Sequence, residues 1–566
     1  MKKLNRVTVA LLVFIFAFSL VGCRREEGQF VYSSAAVSGV DQLGRTITAA
    51  RDERENRDVG LFYFLWLGAH SSGIYDITDL LENNPDELWS GSSSVSPVGS
   101  YHFWGEPLYG YYHSADPWVL TRHVELFTMA GIDFLGFDVT NGPTYDNVVR
   151  ELLKVLDRYQ KQGFDVPKIM FLTNAGSKST VKNIYSQFYS EDSEYYYPDL
   201  WYAPNGKPMI GGNARQFSGD DSFYTDFFDM RTVDWPNSPT HDEEDFPWMC
   251  WQYPQLNHEG IMSVSVAQHT VSRMSLQELN WGRGFDQFEN VNNSERVLEG
   301  LNFEQQWDSV FATYDDDEQE DVHTVFVTGW NEWIAIKFFE ANEVYFVDTF
   351  NMEYSRDLEM MKGGYGDNYF MQLVQNVKRY KYDGSPNFVR NNAAAANGDW
   401  SKAWEYRDFE GDAMARNYRN YDGSEQLTDD TNRNDITNIK VAHDNKNLYF
   451  RVETAEAITA YEAGDTTFMN IWLATDSASD FRYVVNHTYG KLSEIGSGGY
   501  TVKGDVSVNI DGNVMTVAIP KDLIGGADAV RFRVSDHVDA TDRMNFYIQG
   551  DSAPIGALSY TYGYVK

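Results

Sequence analysis

Short apolar runs alternate with amphipathic stretches along the first two thirds of the chain. The runs are rich in β-branched and aromatic residues and have no helical period, which is typical of buried strands. They lie at residues 59–66, 132–138, 168–174, 261–267 and 325–330. The stretches 117–130 and 145–162 repeat apolar side chains at the spacing of a helix. This order predicts an α/β fold in which helices cover a parallel sheet.

We predict that the sheet is a (β/α)8 TIM-type barrel over residues 58–384. Polar residues follow the ends of several predicted strands. In such barrels the loops at the carboxyl ends of the strands carry the active site. A doubly wound open sheet is the alternative, but the chain has no Gly-rich phosphate loop to support it. Asp116 and Pro117 predict the start of the first long helix, because a carboxylate caps free N–H groups and proline fits the first turn.

The hydrophobic pattern changes near residue 385. Residues 385–400 are rich in Asn, Ala and Gly and predict a linker. Beyond them, short alternating runs are separated by Asp, Asn and Gly, which is typical of strands joined by turns. We therefore predict an all-β sandwich over residues 401–566.

Length, composition and charge narrow the possible classes of protein. A chain of 566 residues is too long for one hydrophobic core, which agrees with two predicted domains. Hydrophobic content of 42% and charged content of 23% are typical of a globular protein. The formal net charge of −37 argues against nucleic acid as a partner, because such binding needs a basic surface.

The N-terminus has the pattern of a secretory signal. Lys2, Lys3 and Arg6 precede an apolar run over residues 7–20, and Leu-Val-Gly-Cys ends at Cys23. This ending resembles a bacterial lipobox, which implies a signal peptide over 1–22 and a lipid on Cys23. We expect residues 23–57 to form a tether and the protein to be lipid-anchored to a membrane surface of the cell envelope, at the outer membrane or the periplasmic face.

The candidate chemistry lies where predicted strands end. The strand at 325–330 runs into Trp330-Asn331-Glu332-Trp333. A carboxylate and an amide between two indoles are costly to bury for structure alone, but they suit a sugar site. Indoles stack on sugar rings, amides bind hydroxyl groups, and carboxylates serve as acid, base or nucleophile.

Cleavage of a glycosidic bond by the usual route needs two carboxylates. We predict Glu332 as the first and Asp138, at the end of another strand, as the second. Asp116, Glu340 and Glu353 are further candidates. The predicted sugar-binding residues are Trp66, His70, Tyr112, Asn174, His269, Trp330, Asn331 and Trp333.

The sequence predicts neither a metal nor a cofactor. No His-x-His or His-Glu-x-x-His pair occurs near His70, His113, His123 or His269. The acidic runs 242–245 and 315–321 lack the spacing of a calcium-binding EF-hand loop. We interpret both runs as solvated loops.

Several motifs of the first domain resemble glycoside hydrolase family 99 and the related family 71/99-like domains. They are Tyr-Tyr-His-Ser-Ala-Asp-Pro at 111–117, Ala-Gly-Ile-Asp-Phe at 130–134 and Trp-Asn-Glu-Trp at 330–333. The resemblance implies a (β/α)8 barrel and an endo-acting, retaining glycosidase on α-mannosides. These enzymes carry a second Glu three residues after the first, where this chain has Ala335. Only Glu332 therefore carries over, and the specific mannoside activity does not.

The second domain resembles carbohydrate-binding module family 9 and the related DOMON sandwiches. The matching residues are Trp404, Asp408, Asp412, 434–436, 441–444 and 448–450. The resemblance implies a glycan-binding module, in which Trp472 and Tyr500 are candidates for stacking on sugars. Core packing is the alternative for Trp472, and a purely structural appendage is the alternative for the domain.

These observations together predict an endo-acting glycoside hydrolase with a polysaccharide or oligosaccharide substrate. The sugar, the linkage and the choice between retention and inversion stay open. The alternative is a surface lipoprotein that binds glycans without cleaving them, which Ala335 favours. Glycosyl transfer would need a nucleotide-sugar site, and no motif for one is present.

Overall fold

The computed structural model describes residues 34–71, 73–315, 320–384, 388–389, 395, 397–476, 480–527 and 529–564. The predicted signal peptide, Cys23 and much of the predicted linker 385–400 lie outside these residues and stay predictions. Within the described ranges, none of the helices has the length and apolar character needed to span a bilayer.

A seven-stranded parallel sheet is the centre of the first part of the chain. In sheet order its strands are Ile261–Val264, Thr324–Val327, Asp58–Tyr63, Phe134–Val139, Lys168–Thr173, Met209–Gly211 and Asp229–Arg231. The α-helices are Ile77–Asn83, Pro85–Leu88, Pro117–Ala130, Asp146–Lys161, Ser177–Ile184, Ser222–Phe227, Leu301–Ala312 and Asn368–Lys381. The longer helices follow the strands in the predicted β-α order, so the carboxyl ends of the strands share one edge.

The parallel sheet curls, but the described strands do not close into the predicted eight-stranded barrel. Arg231, on one edge strand, lies 3.8 Å from Glu259, beside the other edge strand. Between these edges, Phe246 exchanges backbone hydrogen bonds with Thr232 and Asp234. Pro247 follows at once, and it has no N–H to extend a ladder. The eighth position is therefore an irregular segment among the residues described.

An antiparallel sheet of three strands lies next to the carboxyl edge. It consists of Tyr101–Phe103, Ile334–Glu340 and Glu343–Phe346. The run 344–349 is rich in β-branched and aromatic residues, and its first residues form a hairpin with Ile334–Glu340. Ala341 and Asn342 make the turn with positive φ angles of 52° and 66°, the conformation that tight hairpins need.

Two β-sheets packed face to face form the second part of the chain. The larger contains Thr46–Ile47, Val37–Val40, Leu558–Tyr564, Ala529–Asp536, Asn470–Ala474, Tyr483–Val485, Lys491–Gly496 and Gly499–Asp505, with Phe388–Val389 and Asp551–Ala553 paired alongside. The smaller contains Trp404–Arg407, Ile436–His443, Asn447–Thr454, Val514–Pro520 and Ser507–Asp511. Phe450 and Phe532 meet between the two sheets with ring centroids 5.2 Å apart. This arrangement agrees with the predicted sandwich.

Three two-stranded ladders complete the strands described. They are Asp52–Glu53 with Tyr382–Asp383, Phe285–Asp286 with Val291–Asn292, and Arg416–Arg419 with Gln426–Asp429.

Part of the predicted tether belongs to the sandwich. Val37–Val40 pairs antiparallel with Leu558–Tyr564, with Ser38 opposite Ser559. Val37 and Ile47 are buried in the main hydrophobic core. Residues 34–57 are thus an integral part of the fold and not a tether. Their strand pairs with the last strand of the chain, and their apolar side chains are buried in the core.

The two parts of the chain are in direct contact. Phe409, in the loop after Trp404–Arg407, stacks on Phe164 with ring centroids 3.9 Å apart. Arg416 Nε donates to Asp116 Oδ2 over 2.8 Å. The other oxygen of Asp116 accepts from Trp118 N over 3.0 Å, which confirms the predicted helix cap. Asp116 therefore has a structural role and lies at this interface.

Candidate functional site

The Asn-Glu-Trp motif follows the strand Thr324–Val327 after the three residues 328–330. Asn331 Oδ1 accepts from Phe64 N over 2.8 Å, and its Nδ2 donates to Phe64 O over 3.1 Å. This double contact clamps the ends of two neighbouring parallel strands. Asn331 is fully buried, so the prediction that it binds sugar hydroxyl groups is wrong.

The predicted sugar-facing wall lies mostly inside the core. Trp330, Trp333 and Tyr112 are fully buried. Trp333 stacks on Trp104 with centroids 4.1 Å apart, and Trp330 meets Phe127 edge-on at 4.8 Å. The prediction that these three residues contact sugar is therefore wrong, because large rings at the strand ends fill the space beneath the site.

These buried residues surround another carboxylate, that of Glu359. Its Oε2 accepts from Tyr112 Oη over 2.8 Å and from Trp333 Nε1. Its Oε1 accepts from His123 Nε2 over 2.8 Å, while His123 Nδ1 accepts from Tyr63 Oη over 2.9 Å. A buried carboxylate with this many donors is satisfied, and it holds the floor of the site in place.

Above this floor, Glu332 pairs with Arg356. Arg356 Nη2 donates to Glu332 Oε2, and only 3% of each side chain is exposed. Arg356 Nη1 donates to His269 Nε2 over 2.7 Å. Glu332 N donates to Asp357 Oδ1 over 2.7 Å, which fixes the backbone of the motif. One guanidinium group thus links the Glu332 strand end to the His269 strand end.

Two more carboxylates lie close enough to affect Glu332. Burial raises the pKa of Glu332 well above its ordinary value, and Asp348, Asp357 and Asp138 raise it further, while Arg356 opposes the rise. Asp348 Oδ1 lies 4.0 Å from His269 Nε2, yet 43% of its side chain is exposed. Asp138 is partly exposed as well. The geometry therefore combines a buried acid with two carboxylates that solvent can reach.

The pKa values of the two partly exposed carboxylates are also raised by burial. Arg356 lowers both of them, and Asp348 adds to the rise at Asp138. Thr140 N donates to Asp138 Oδ1 over 3.0 Å, which favours the ionised form. Arg356 already places a positive charge among these carboxylates, so a metal ion there would meet a like charge.

Aromatic side chains border the carboxylates. His70 stacks on Tyr101 with centroids 5.1 Å apart, and Trp66 meets both rings edge-on. Tyr145 Oη lies 3.1 Å from His70 Nε2. Burial raises the pKa of Tyr101, and Asp348 and Glu332 raise it further. Burial likewise raises the pKa of Tyr145, and Asp138 raises it further. Trp66 and His70 thus lie in an aromatic rim beside the carboxylates, where the sequence places a sugar-binding surface.

The structure gives the remaining predicted residues different places. Asn174 is exposed in the loop after Lys168–Thr173, and none of the side-chain hydrogen bonds described joins it to the carboxylates. Glu340 is exposed at its hairpin. In the second domain, Trp472 is buried with its Nε1 donating to Ser535 Oγ over 2.9 Å, which agrees with core packing. Tyr500 is exposed and stacks on His487.

His269 is at the site, but both of its ring nitrogens are engaged. Its Nδ1 donates to Val271 O over 3.1 Å, so its Nε2 is the acceptor for Arg356. Burial, and secondly Arg356, lower the pKa of His269 to about 3. The prediction that His269 binds sugar hydroxyl groups is therefore wrong for this conformation, since the neutral ring positions Arg356.

We expect His269 to make folding stability depend on pH. Its pKa is lowered in the folded state, so its contribution is complete above its ordinary value of about 6.5 and is lost as the pH falls. Between pH 6.5 and pH 5 this loss is about 2 kcal/mol. Urea titrations at both pH values measure the free energy of unfolding. Between pH 6.5 and pH 5 we expect it to fall by about 2 kcal/mol less in His269→Gln than in the wild type. The exposed His323→Gln variant should follow the wild type, and an equal drop in all three proteins would contradict the assignment.

Sequence reasoning missed Arg356 and Asp348. Arg356, Asp357 and Glu359 are mixed with apolar residues in Arg-Asp-Leu-Glu-Met-Met, a pattern that indicates charges entering a core. That signal was available but does not say which strand end the charges meet. Asp348 follows the hairpin strand Glu343–Phe346, and its loop carries no motif of its own.

Comparisons with known proteins give a limited result. No model of a known protein family matches the chain, and no curated protein matches it. The chain is similar to a solved GH99 endo-alpha-mannosidase from Bacteroides thetaiotaomicron in complex with BIS-TRIS-propane, at 12% identity and a TM-score of 0.33. A second structure of that enzyme gives 13% identity and a TM-score of 0.31. Each match covers 57% of this chain and 97% of the other.

Proposed function

We propose that the chain is a glycoside hydrolase that cleaves a polysaccharide or an oligosaccharide. The observation that carries this proposal is the grouping of Glu332, Asp138 and Asp348 at the carboxyl edge of a parallel sheet, beside an aromatic rim. Glycoside cleavage needs one protonated and one ionised carboxyl group near the same bond. Pairs of carboxyl groups whose surroundings push their pKa values apart are the usual means of supplying both.

Glu332 is the proposed general acid. Burial raises its pKa well above the ordinary value, which keeps a proton on it at higher pH than an exposed Glu would allow. That proton would pass to the leaving oxygen as the glycosidic bond breaks. Arg356 holds one carboxyl oxygen in place, and none of the hydrogen bonds described engages the other, Oε1.

Asp138 and Asp348 are the proposed candidates for the second carboxylate. Both are partly exposed, whereas only 3% of the Glu332 side chain is exposed. The ionised group would activate a water molecule or attack the sugar directly. Asp138 is close enough to Tyr145, and Asp348 to Tyr101, to raise the pKa of these tyrosines, so both carboxylates border the aromatic rim.

Three further parts of the proposal rest mainly on the sequence. Cleavage inside a glycan chain is supported by the family resemblance of residues 111–134 and 330–333. Lipid anchoring through Cys23 and a cell-envelope location are supported by the pattern of residues 2–23. Glycan binding by the sandwich is supported by its family resemblance and by the exposed Tyr500.

Product release from a panel of polysaccharides tests the activity and names the second carboxylate. We expect oligosaccharides from the wild type, and a rate lower by about 10²–10⁴-fold for Asp138→Asn or Asp348→Asn, whichever residue acts. Asp308→Asn is the matched control, because Asp308 lies on an outer helix with 55% of its side chain exposed. Equal rates for Asp138→Asn, Asp348→Asn and the wild type would show that neither Asp takes part.

A glycan-binding protein without catalysis is the second candidate. The near-complete burial of Glu332 against Arg356 favours it, because an ion pair of this kind can be purely structural. In that case the panel would release no product, while saturable binding to one glycan would persist unchanged in Asp138→Asn and Asp348→Asn.

A further inference from the structure

Five carboxylates from four segments of the chain meet between the helix Pro117–Ala130 and the sandwich. Glu125 lies on the helix Pro117–Ala130, and Asp408 and Asp412 lie in the loop that packs on the helices. Asp435 precedes the strand Ile436–His443, and Asp551 begins Asp551–Ala553. Glu125, Asp408, Asp412 and Asp551 are at most 3% exposed, and Asp435 is partly buried.

Most oxygens of these carboxylates lack a hydrogen-bond donor. Within the described part of the chain, both oxygens of Glu125, Asp408 and Asp412 are buried without a partner, as are Oδ1 of Asp435 and Oδ1 of Asp551. The remaining oxygens of Asp435 and Asp551 accept from Gly411 N over 2.8 Å and from Ile436 N over 2.5 Å. Buried carboxylates are normally satisfied, so this many open oxygens indicate a missing positive ligand.

Among the ion pairs of the described residues, only those of Arg122 reach these carboxylates. Arg122 Nη1 lies 3.6 Å from Glu125 Oε2 and 4.0 Å from Asp412 Oδ2, both too far for a hydrogen bond. Its Nη2 donates to Gly550 O over 3.3 Å, and its guanidinium group stacks on Trp118. One partly committed arginine therefore faces five carboxylates. Burial raises the pKa of Asp408, Asp412 and Asp551, and the neighbouring carboxylates raise these values further.

The oxygens are close enough together to share an ion. Glu125, Asp408 and Asp412 form one group, and Asp412, Asp435 and Asp551 form another, with ligand atoms within 4.8 Å of one another in each. Calcium binds oxygen at about 2.3–2.6 Å, so two ligands on opposite sides are about 4.6–5.2 Å apart. Carboxylates alone select a hard cation, and a cage with this many of them suits calcium better than magnesium, which retains water ligands.

We propose that Glu125, Asp408, Asp412, Asp435 and Asp551 bind Ca²⁺ and thereby join the helix Pro117–Ala130 to the sandwich. The two groups share Asp412, which makes it the central ligand of one ion or the bridge between two. The bound ion would offset the repulsion among the carboxylates and fix the loop at 408–412 against the helix Pro117–Ala130. This proposal does not depend on whether the chain cleaves glycans.

Metal analysis and thermal unfolding of the full chain test the proposal. The protein is first stripped with EGTA, then dialysed against 1 mM Ca²⁺, and finally dialysed against buffer without Ca²⁺. We expect about one or two Ca²⁺ per chain to remain bound. EGTA should lower Tm by about 5–10 °C, and added Ca²⁺ should restore it, as for any ligand that binds only the folded state. Asp412→Asn should lose the ion and the response. Asp505→Asn, whose side chain is 83% exposed, should keep both.

A second measurement on the wild type covers the case in which Asp412→Asn does not fold. Tb³⁺ binds calcium sites and emits when a nearby aromatic ring is excited, and Trp118 and Tyr159 lie near the cluster. We expect sensitised emission that Ca²⁺ displaces and Mg²⁺ at equal concentration does not. No retained Ca²⁺ together with a Tm unaffected by EGTA would overturn the proposal. Equal displacement and stabilisation by Mg²⁺ would overturn the choice of calcium.

Discussion

Replacing Glu332 by Gln is expected to lower kcat for glycan cleavage by about 10²–10⁴-fold while leaving glycan affinity nearly unchanged. Gln has the same shape and can still accept a hydrogen bond from Arg356, so the Arg356–His269 contact should persist. It cannot deliver a proton to the leaving oxygen. The measurement is initial-rate kinetics on the glycan found in the panel, with affinity determined by calorimetry.

The exposed Glu340→Gln variant is the matched control, because Glu340 lies on the adjacent hairpin and the substitution is the same. The pH profile gives an independent check. A general acid acts while protonated, so wild-type kcat should fall as the pH rises through the pKa of Glu332. Equal kcat for Glu332→Gln and wild type would place the proton donor elsewhere. Loss of affinity without loss of kcat would indicate a positioning role.

Replacing Glu359 by Ala is expected to destabilise the folded state by about 3–5 kcal/mol. The substitution removes the acceptor of Tyr112 Oη, Trp333 Nε1 and His123 Nε2. Each of these buried donors would then be unsatisfied, and a cavity would open beneath the site. The shift of the denaturation midpoint in urea measures the loss, since it compares variants under the same conditions.

Glu343→Ala is the control for this change, since 73% of the Glu343 side chain is exposed and its ion pair with Arg273 is long at 3.5 Å. We expect that variant to lie within about 0.5 kcal/mol of the wild type. A loss below about 1 kcal/mol for Glu359→Ala would mean that the network is not the structural floor of the site. Tyr112→Phe removes one donor, so its loss of stability should lie between those of Glu343→Ala and Glu359→Ala.

Local patterns determined several elements closely. The helix Pro117–Ala130 begins after its predicted cap, Asp116, and ends at Gly131, whose positive φ of 80° terminates it. The helix predicted over 145–162 is observed at Asp146–Lys161. Periodicity and capping depend on neighbours a few residues away, so sequence alone can specify them.

Contacts between distant segments escaped sequence reasoning. Asp367 directly precedes the helix Asn368–Lys381, but its side chain does not cap that helix and accepts from Arg543 and Tyr547 of the second domain instead. Val37–Val40 completes a sheet with the last strand of the chain. No local pattern encodes either pairing, because each partner lies more than a hundred residues away.

For the candidate site, the sequence by itself predicted Glu332 and Asp138 from their positions at strand ends. It also placed Trp66 and His70 at the same edge. Only the tertiary structure decided that Arg356 and Asp348 join them, and that Trp330 and Trp333 are buried. The reason is physical: alternation along a strand shows which residues follow its end, whereas burial and charge pairing depend on what other segments pack there.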